Sequence, residues 1–165
     1  MSGIKVSGPM LQADGGIRPA TLEINAGTIT AIVPELDPHA DVVSEGCIAP
    51  GLIDLQLNGG YGVDFTSDGS GAGLIAERLP ATGVTGFLPT IITSPFERYP
   101  DCIQQIAAIQ GERQAHVLGI HLEGPYLNPR CKGAHDPHLL RSIDLNEVLT
   151  WADHPLVRLV TLAPE

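Results

Sequence analysis

The sequence predicts an α/β fold in which a small β-rich module precedes alternating strands and helices. Residues 1–49 contain short runs of alternating apolar and polar residues, which are typical of half-buried antiparallel strands. From residue 50 onward, apolar strands alternate with helical segments, which favours parallel β/α units. The chain has 165 residues and is 43% hydrophobic, which allows a buried core but not two large domains.

In the first module, strands are predicted at residues 4–6, 21–24 and 28–33. A turn is predicted at Asn25-Ala26-Gly27, and Pro34 ends the third strand. In the second part, strands are predicted at residues 52–57, 84–88, 117–122 and 157–162. A helix is expected at residues 71–79, closed by Pro80 and Gly83.

Two further helices are predicted from capping boxes. Ser94 is expected at the N-cap with Pro95 at the first helical position and Glu97 after it. Apolar residues then recur at helical spacing from Tyr99 to Ile109, and Gly111 is expected to end the helix. The segment 144–147, Asp-Leu-Asn-Glu, repeats the capping pattern before a short helix.

The second part supplies four strands and three helices, whereas a closed eight-fold β/α barrel needs about 250 residues. We therefore expect residues 50–165 to form the first half of such a barrel, and residues 1–49 a separate module. The chain is expected to be the N-terminal part of something larger.

The composition argues against several functions. The net charge of −10 disfavours a protein that binds nucleic-acid phosphates. No apolar run approaches the roughly 20 residues needed to span a membrane, and the N-terminus does not resemble a signal peptide. Three cysteines without CxxC spacing indicate reduced thiols in a cytoplasmic protein, rather than a disulfide framework or a cysteine-based zinc site.

Polar residues on two predicted strands are candidates for chemistry. His121 and Glu123 lie two apart and share a strand face at the carboxyl end, where β/α barrels place their active sites. Glu123 could bind a divalent metal ion or form an ion pair. Asp54, Gln56 and Asn58 are expected on one face of the first barrel strand, facing a polar interior or joined in a structural network.

The segment from Arg130 to Arg141 holds three of the nine basic residues and two histidines. It follows the third barrel strand on the expected active face. The segment either attracts an anionic substrate or is a solvated loop.

Several motifs together resemble one known family. The run 50–60, PGLIDLQLNGG, resembles the opening strand of the amidohydrolase superfamily in the variant found in N-acetylglucosamine-6-phosphate deacetylases. The runs TGVT at 82–85, LPT at 88–90, GIHLEGPYLN at 119–128, KGAH at 132–135 and VTLAPE at 160–165 fit the same family. The first module fits that superfamily's small N-terminal domain, so the resemblance implies a partial β-sandwich module before the half (β/α)8 TIM-type barrel.

The resemblance implies a cytoplasmic hydrolase of amino-sugar metabolism. It would deacetylate N-acetylglucosamine 6-phosphate to glucosamine 6-phosphate and acetate. Glu123 is implied as a metal ligand, and Ala134 and His135 as substrate contacts. Two metal-binding histidines and the catalytic aspartate are implied beyond residue 165, so the chain itself would be inactive.

The superfamily's first strand often carries His-x-His for a second metal, whereas this chain has Gln56-Leu57-Asn58. One divalent ion, zinc, is therefore expected for each complete site. The full-length protein is expected to be a homo-oligomer, a dimer or tetramer, with no nucleic-acid or membrane partner. The alternatives are an amidohydrolase for another N-acyl or cyclic amide, and a non-catalytic half-domain.

Overall fold

The chain forms two compact units, the first ending at Pro50 and the second beginning at Gly51. This computed structural model describes residues 3–109 and 114–165. The expected helix end at Gly111 lies outside the described residues. In the described ranges, no helix has the length and apolar character required to cross a lipid bilayer.

The first unit contains one four-stranded sheet, and its three predicted strands are confirmed. Its order is β3-β2-β1-β4, with the first three strands antiparallel. Ala26 and Gly27 have φ of 48° and 77°, so the predicted turn between β2 and β3 uses the left-handed conformation that glycine favours. A second sheet is absent from described residues 3–50, so the sandwich stays a prediction. The strands are β1 (Ile4–Leu11), β2 (Ile17–Asn25), β3 (Thr28–Val33) and β4 (Val42–Val43).

The second unit is built on a parallel sheet whose main strands are neighbours in chain order. The order is β11-β10-β8-β5, with the short β9 beside β8. All these pairings are parallel, so the carboxyl ends of the strands meet at one edge. The strands are β5 (Leu52–Leu57), β6 (Gly59–Gly60), β7 (Val63–Asp64), β8 (Val84–Ile92), β9 (His116–Val117), β10 (Ile120–Glu123) and β11 (Val157–Thr161), of which β6 and β7 form a separate hairpin.

Three helices connect these strands: α1 (Ala72–Arg78), α2 (Tyr99–Ala107) and α3 (Leu145–Ala152). The predicted cap of α3 is confirmed, because the Asp144 carboxylate accepts a hydrogen bond of 2.8 Å from the backbone N–H of Asn146. The prediction of a capping box at Ser94 is wrong. Ser94 is buried two residues after the end of β8, Pro95 is extended, and one 3-10 turn intervenes before α2 begins at Tyr99.

In the second unit, two strands differ from their predicted bounds by more than one residue. Strand β8 continues through Pro89 to Ile92, and its register with β5 is irregular between Asp54 and Leu57, near the proline that cannot donate a ladder hydrogen bond. The predicted third strand is interrupted at residues 118–119 and resumes as β10. The longer β8 brings residues 90–93 to the carboxyl edge.

The apolar core lies between the sheet and its helices. Ile120 and Leu122 are buried in one cluster with residues of α2 and α3, including Ile103 and Trp151. His121 lies on the opposite face of the strand from Ile120 and Leu122, and contacts polar groups of the neighbouring strands instead. A second cluster joins α1 to β8 around Phe87.

Candidate metal and substrate site

Glu123 and His135 lie together at the carboxyl edge of the parallel sheet. Glu123 is the last residue of β10, and His135 lies in the loop that follows. His135 Nε2 is 3.7 Å from Glu123 Oε1, and the side chains are 10% and 19% exposed, respectively. In the part of the chain that the structure describes, no hydrogen bond reaches the Glu123 carboxylate. Its oxygens are therefore available to a ligand.

The other ring nitrogen of His135 is held by Thr93. His135 Nδ1 and Thr93 Oγ1 are 2.8 Å apart, and both side chains are buried. Thr93 directly follows β8, whose Ile92 pairs with Glu123 in the sheet. The parallel register thus places Thr93, which binds the His135 ring, beside Glu123, whose carboxylate the ring faces.

The loop that carries Ala134 and His135 is closed by its own lysine. The backbone N–H of His135 donates 3.1 Å to the carbonyl of Lys132. Lys132 Nζ donates to the carbonyls of Gly133 and His135, at 3.2 and 3.1 Å. Ala134 is exposed on this loop. The segment therefore presents Ala134 outward while His135 turns inward to Glu123.

The donors in this chain suit a divalent ion but do not complete its coordination. Carboxylate oxygen and imidazole nitrogen are both common zinc ligands, and zinc takes four. Across residues 3–109 and 114–165, the structure has no group of three or more His, Cys, Asp or Glu side chains that could hold a metal ion. A metal at Glu123 would require further ligands.

Both ring nitrogens of His121 form hydrogen bonds that join neighbouring strands. Its Nδ1 is 3.1 Å from the Leu55 carbonyl oxygen and its Nε2 is 2.8 Å from Thr161 Oγ1. A carbonyl can only accept, so Nδ1 carries the proton and Nε2 accepts from the threonine hydroxyl. Burial lowers the pKa of His121, an effect that the Glu123 carboxylate partly opposes. His121 is a neutral link between strands, not a further ligand.

The polar residues in and just after β5 form hydrogen bonds away from Glu123 and His135. The Asp54 carboxylate accepts a hydrogen bond of 3.0 Å from the backbone N–H of Gln56. Asn58 lies beyond the end of β5, and its carbonyl accepts from Phe65 at the base of the hairpin formed by β6 and β7. The expected single polar face of Asp54, Gln56 and Asn58 is thus broken at its end, since Asn58 is not in the strand.

Two of the three cations in the predicted basic segment have intramolecular partners. Arg141 Nη1 lies 2.6 Å from Glu147 Oε1, and Tyr126 donates 3.1 Å to the other oxygen of that carboxylate. Burial and the Glu147 carboxylate raise the pKa of Tyr126 to about 12. With Lys132 bonded to its own loop, the segment is more structured than either sequence interpretation implied.

Thr93, Lys132 and Thr161 are site residues that the sequence reasoning missed. Thr93 lies beyond the predicted end of the strand at residues 84–88. Its position at the carboxyl edge of the sheet was therefore not predicted. The usable signal was the run of four β-branched residues from Thr90 to Thr93, directly after Pro89. Lys132 belongs to the basic segment and to the KGAH motif, but neither predicts that its ammonium group closes the loop.

The fold and this pair define a parallel β/α protein with a carboxylate and an imidazole converging at the carboxyl ends of its strands. Among curated proteins, the chain is 48% identical over 130 residues to an N-acetylglucosamine-6-phosphate deacetylase of Bos taurus, and 49% identical over 127 residues to that of Mus musculus. These alignments cover 73% and 72% of this chain but 32% and 31% of the relatives. An N-acetylgalactosamine-6-phosphate deacetylase of Escherichia coli O157:H7 is 35% identical over 162 residues, 94% of this chain and 42% of that protein.

Solved structures agree with the sequence relatives. A mutant N-acetyl-D-glucosamine-6-phosphate deacetylase from Mycobacterium smegmatis, in complex with N-acetyl-D-glucosamine-6-phosphate, matches with a TM-score of 0.79 and 28% identity, covering 100% of this chain and 44% of that one. The deacetylase from Pasteurella multocida matches with a TM-score of 0.79 and 29% identity, covering 99% of this chain and 45% of that one. No protein-family model matches the chain.

The chain is therefore homologous to the N-acetylglucosamine-6-phosphate deacetylases. It spans about a third of the length of its mammalian relatives.

Proposed function

We propose that this chain is the N-terminal part of a metal-dependent deacetylase that hydrolyses N-acetylglucosamine 6-phosphate to glucosamine 6-phosphate and acetate. The observation that carries the proposal is the pairing of Glu123 with His135 at the carboxyl edge, in a chain up to 49% identical to proteins with that name. One of the solved structures that it resembles holds the phosphorylated sugar.

The architecture proposed for the complete protein is a (β/α)8 barrel in which residues 50–165 supply the first half. Four parallel strands adjacent in chain order support this architecture, because sequential neighbours are how such a barrel is wound. Residues 1–49 would form part of a β-sandwich that other strands complete. The proposed protein is a homo-oligomer in the cytoplasm.

In the proposed mechanism, Glu123 is one ligand of a single zinc ion. When bound, the metal would polarise the acetamide carbonyl and lower the pKa of a water molecule. Glu123 contributes a negative charge that holds the ion at the strand ends. His135 and Ala134 contact the sugar from the loop after β10. The remaining ligands and the aspartate that transfers the proton to the leaving amine would come from outside this chain.

The test is acetate release by the full-length protein that contains this sequence. We expect turnover of N-acetylglucosamine 6-phosphate to exceed that of N-acetylglucosamine, because the phosphate supplies binding energy in the transition state. Equal turnover of the two sugars would contradict phosphate specificity. N-acetylgalactosamine 6-phosphate is the third compound to assay, since a relative named for it aligns with 94% of the chain. Preference for this sugar would reassign the substrate, and no acetate from any of them would overturn the proposal.

A further inference from the structure

We propose that the Thr93 hydroxyl fixes the tautomer of His135, so that the Nε2–H of the ring faces the site as a hydrogen-bond donor. This inference rests on the proposed function, in which His135 contacts the sugar. Thr93 is a positioning residue here, because it acts on the substrate only through His135.

The positions of the two ring nitrogens support this assignment. A neutral imidazole has one nitrogen that donates and one that accepts. Nδ1 is 2.8 Å from Thr93 Oγ1, and Nε2 is 3.7 Å from the Glu123 carboxylate. If Nδ1 carried the proton, the lone pair of Nε2 would face a carboxylate oxygen. With the proton on Nε2, the N–H faces the carboxylate and Nδ1 accepts from the threonine hydroxyl.

The hydroxyl proton of Thr93 has two possible acceptors, and their distances differ. Nδ1 of His135 is 2.8 Å away, whereas the Glu123 backbone carbonyl is 3.5 Å away. Hydrogen bonds between neutral groups weaken as they lengthen beyond about 3.2 Å. The Thr93 hydroxyl therefore donates to the His135 ring, and Nδ1 is the acceptor.

Packing around Thr93 restricts rotation of its hydroxyl away from the His135 ring. Thr93 is 6% exposed. The residue after Glu123 is Gly124, with φ of 84°, and a Cβ there would collide with Thr93 Oγ1. The absent side chain lets the backbone of Gly124 close over the hydroxyl. Thr93 is thus confined between Gly124 and His135.

The first test is a double-mutant cycle in the full-length protein, with kcat and KM measured for N-acetylglucosamine 6-phosphate. Thr93→Val keeps the shape and removes the hydroxyl, and we expect kcat/KM to fall about five- to tenfold, the effect of one hydrogen bond. Thr93→Ser is the matched control and should restore most of the loss. In the His135→Ala background, Thr93→Val should have little further effect, because its partner is gone. Equal losses in both backgrounds would overturn the proposal.

The second test reads the tautomer directly and needs no catalysis. Nitrogen-15 spectra of the labelled full-length protein, assigned with His135→Ala, should show His135 protonated at Nε2 and not at Nδ1. Thr93→Val should shift the ring toward the other tautomer, while Thr93→Ser should not. A proton on Nδ1 in the unmodified protein would contradict the inference even if Thr93→Val fails to fold. If the protein releases no acetate, the proposed function fails, and the spectra still decide the role of Thr93.

Discussion

At the scale of single residues, Glu123 differs from other acidic groups of the second unit. Asp54 and Asp144 accept hydrogen bonds from backbone amides, and Glu147 is bound by Arg141 and Tyr126. The carboxylate of Glu123 faces only the imidazole of His135 within the described ranges. A half-buried carboxylate without a cation is costly unless a ligand completes it. This is the physical reason to assign Glu123 to a metal ion.

We predict that Glu123→Gln in the full-length protein lowers metal content and deacetylase activity together. The amide removes the negative charge that attracts a divalent ion. Elemental analysis of the purified variant checks the metal content. Gln56→Ala is the control, and should leave the stoichiometry at one metal ion for each active site. Full occupancy in Glu123→Gln would remove Glu123 from the ligands.

Lys132 offers a second prediction, because its ammonium group binds the carbonyls of Gly133 and His135. Lys132→Met should loosen the loop and raise KM for the phosphorylated sugar by about five- to tenfold, the effect of losing charged hydrogen bonds. Arg130→Met removes the same charge from an exposed position on the same loop. A larger effect of Lys132→Met supports loop closure, whereas equal effects would indicate general attraction of an anion.

At the scale of elements, His121 ties together β10, β5 and β11 through its two ring nitrogens. Burial lowers its pKa in the folded protein, whereas the ring in the unfolded chain has a pKa of about 6.5. Below that pH the unfolded state binds more protons than the folded state. The stability that the neutral ring contributes is therefore complete above about pH 6.5 and declines below it until the pH reaches the lowered pKa of the folded state.

The prediction is that the free energy of unfolding of the full-length protein decreases on acidification below about pH 6.5. Urea unfolding at a series of pH values measures it. His121→Gln has no titrating ring and should show a flatter profile over the same range. Identical slopes in the two proteins would mean that another group causes the pH dependence.

The elements were predictable wherever local pattern decided the structure. Alternation located β1 to β3, and Asp144 located the start of α3. The pattern failed at Ser94, which is buried after the end of β8, because a 3-10 turn separates it from the start of α2 at Tyr99. It also failed after Leu88, where the predicted strand ends, because β8 continues through Pro89 to Ile92 with an irregular register to β5. In both cases tertiary packing overrides the local signal.

The site was predictable only in part, for the same reason. The position of Glu123 at a strand end follows from the order of the elements. Its approach to His135 depends on how a loop of eleven intervening residues returns to the sheet, which spacing alone does not determine. Thr93 was missed because its role needs both the extended β8 and the absent side chain of Gly124.

At the scale of the whole molecule, the sheet of the second unit leaves apolar surface uncovered. Leu52, Ile53 and Leu55 of the edge strand β5 are 61%, 59% and 56% exposed. In the proposed barrel, further elements would cover such surface. We therefore predict that the isolated 165-residue chain self-associates or packs loosely, since open edges and apolar patches favour association. Size-exclusion chromatography and amide hydrogen exchange measure this, and a compact, well-protected monomer would contradict it.

In the proposed function, this chain supplies one carboxylate ligand to a metal site that is completed elsewhere in the protein. A zinc titration of the isolated 165-residue chain, beside the full-length protein, tests it most directly. We predict one tightly bound zinc ion in the full-length protein, lost in Glu123→Gln, and only weak binding to the isolated chain, because a single carboxylate leaves most of a tetrahedral shell unfilled. Tight binding of one zinc ion by the isolated chain would show that these residues already form a complete site, and would contradict the account.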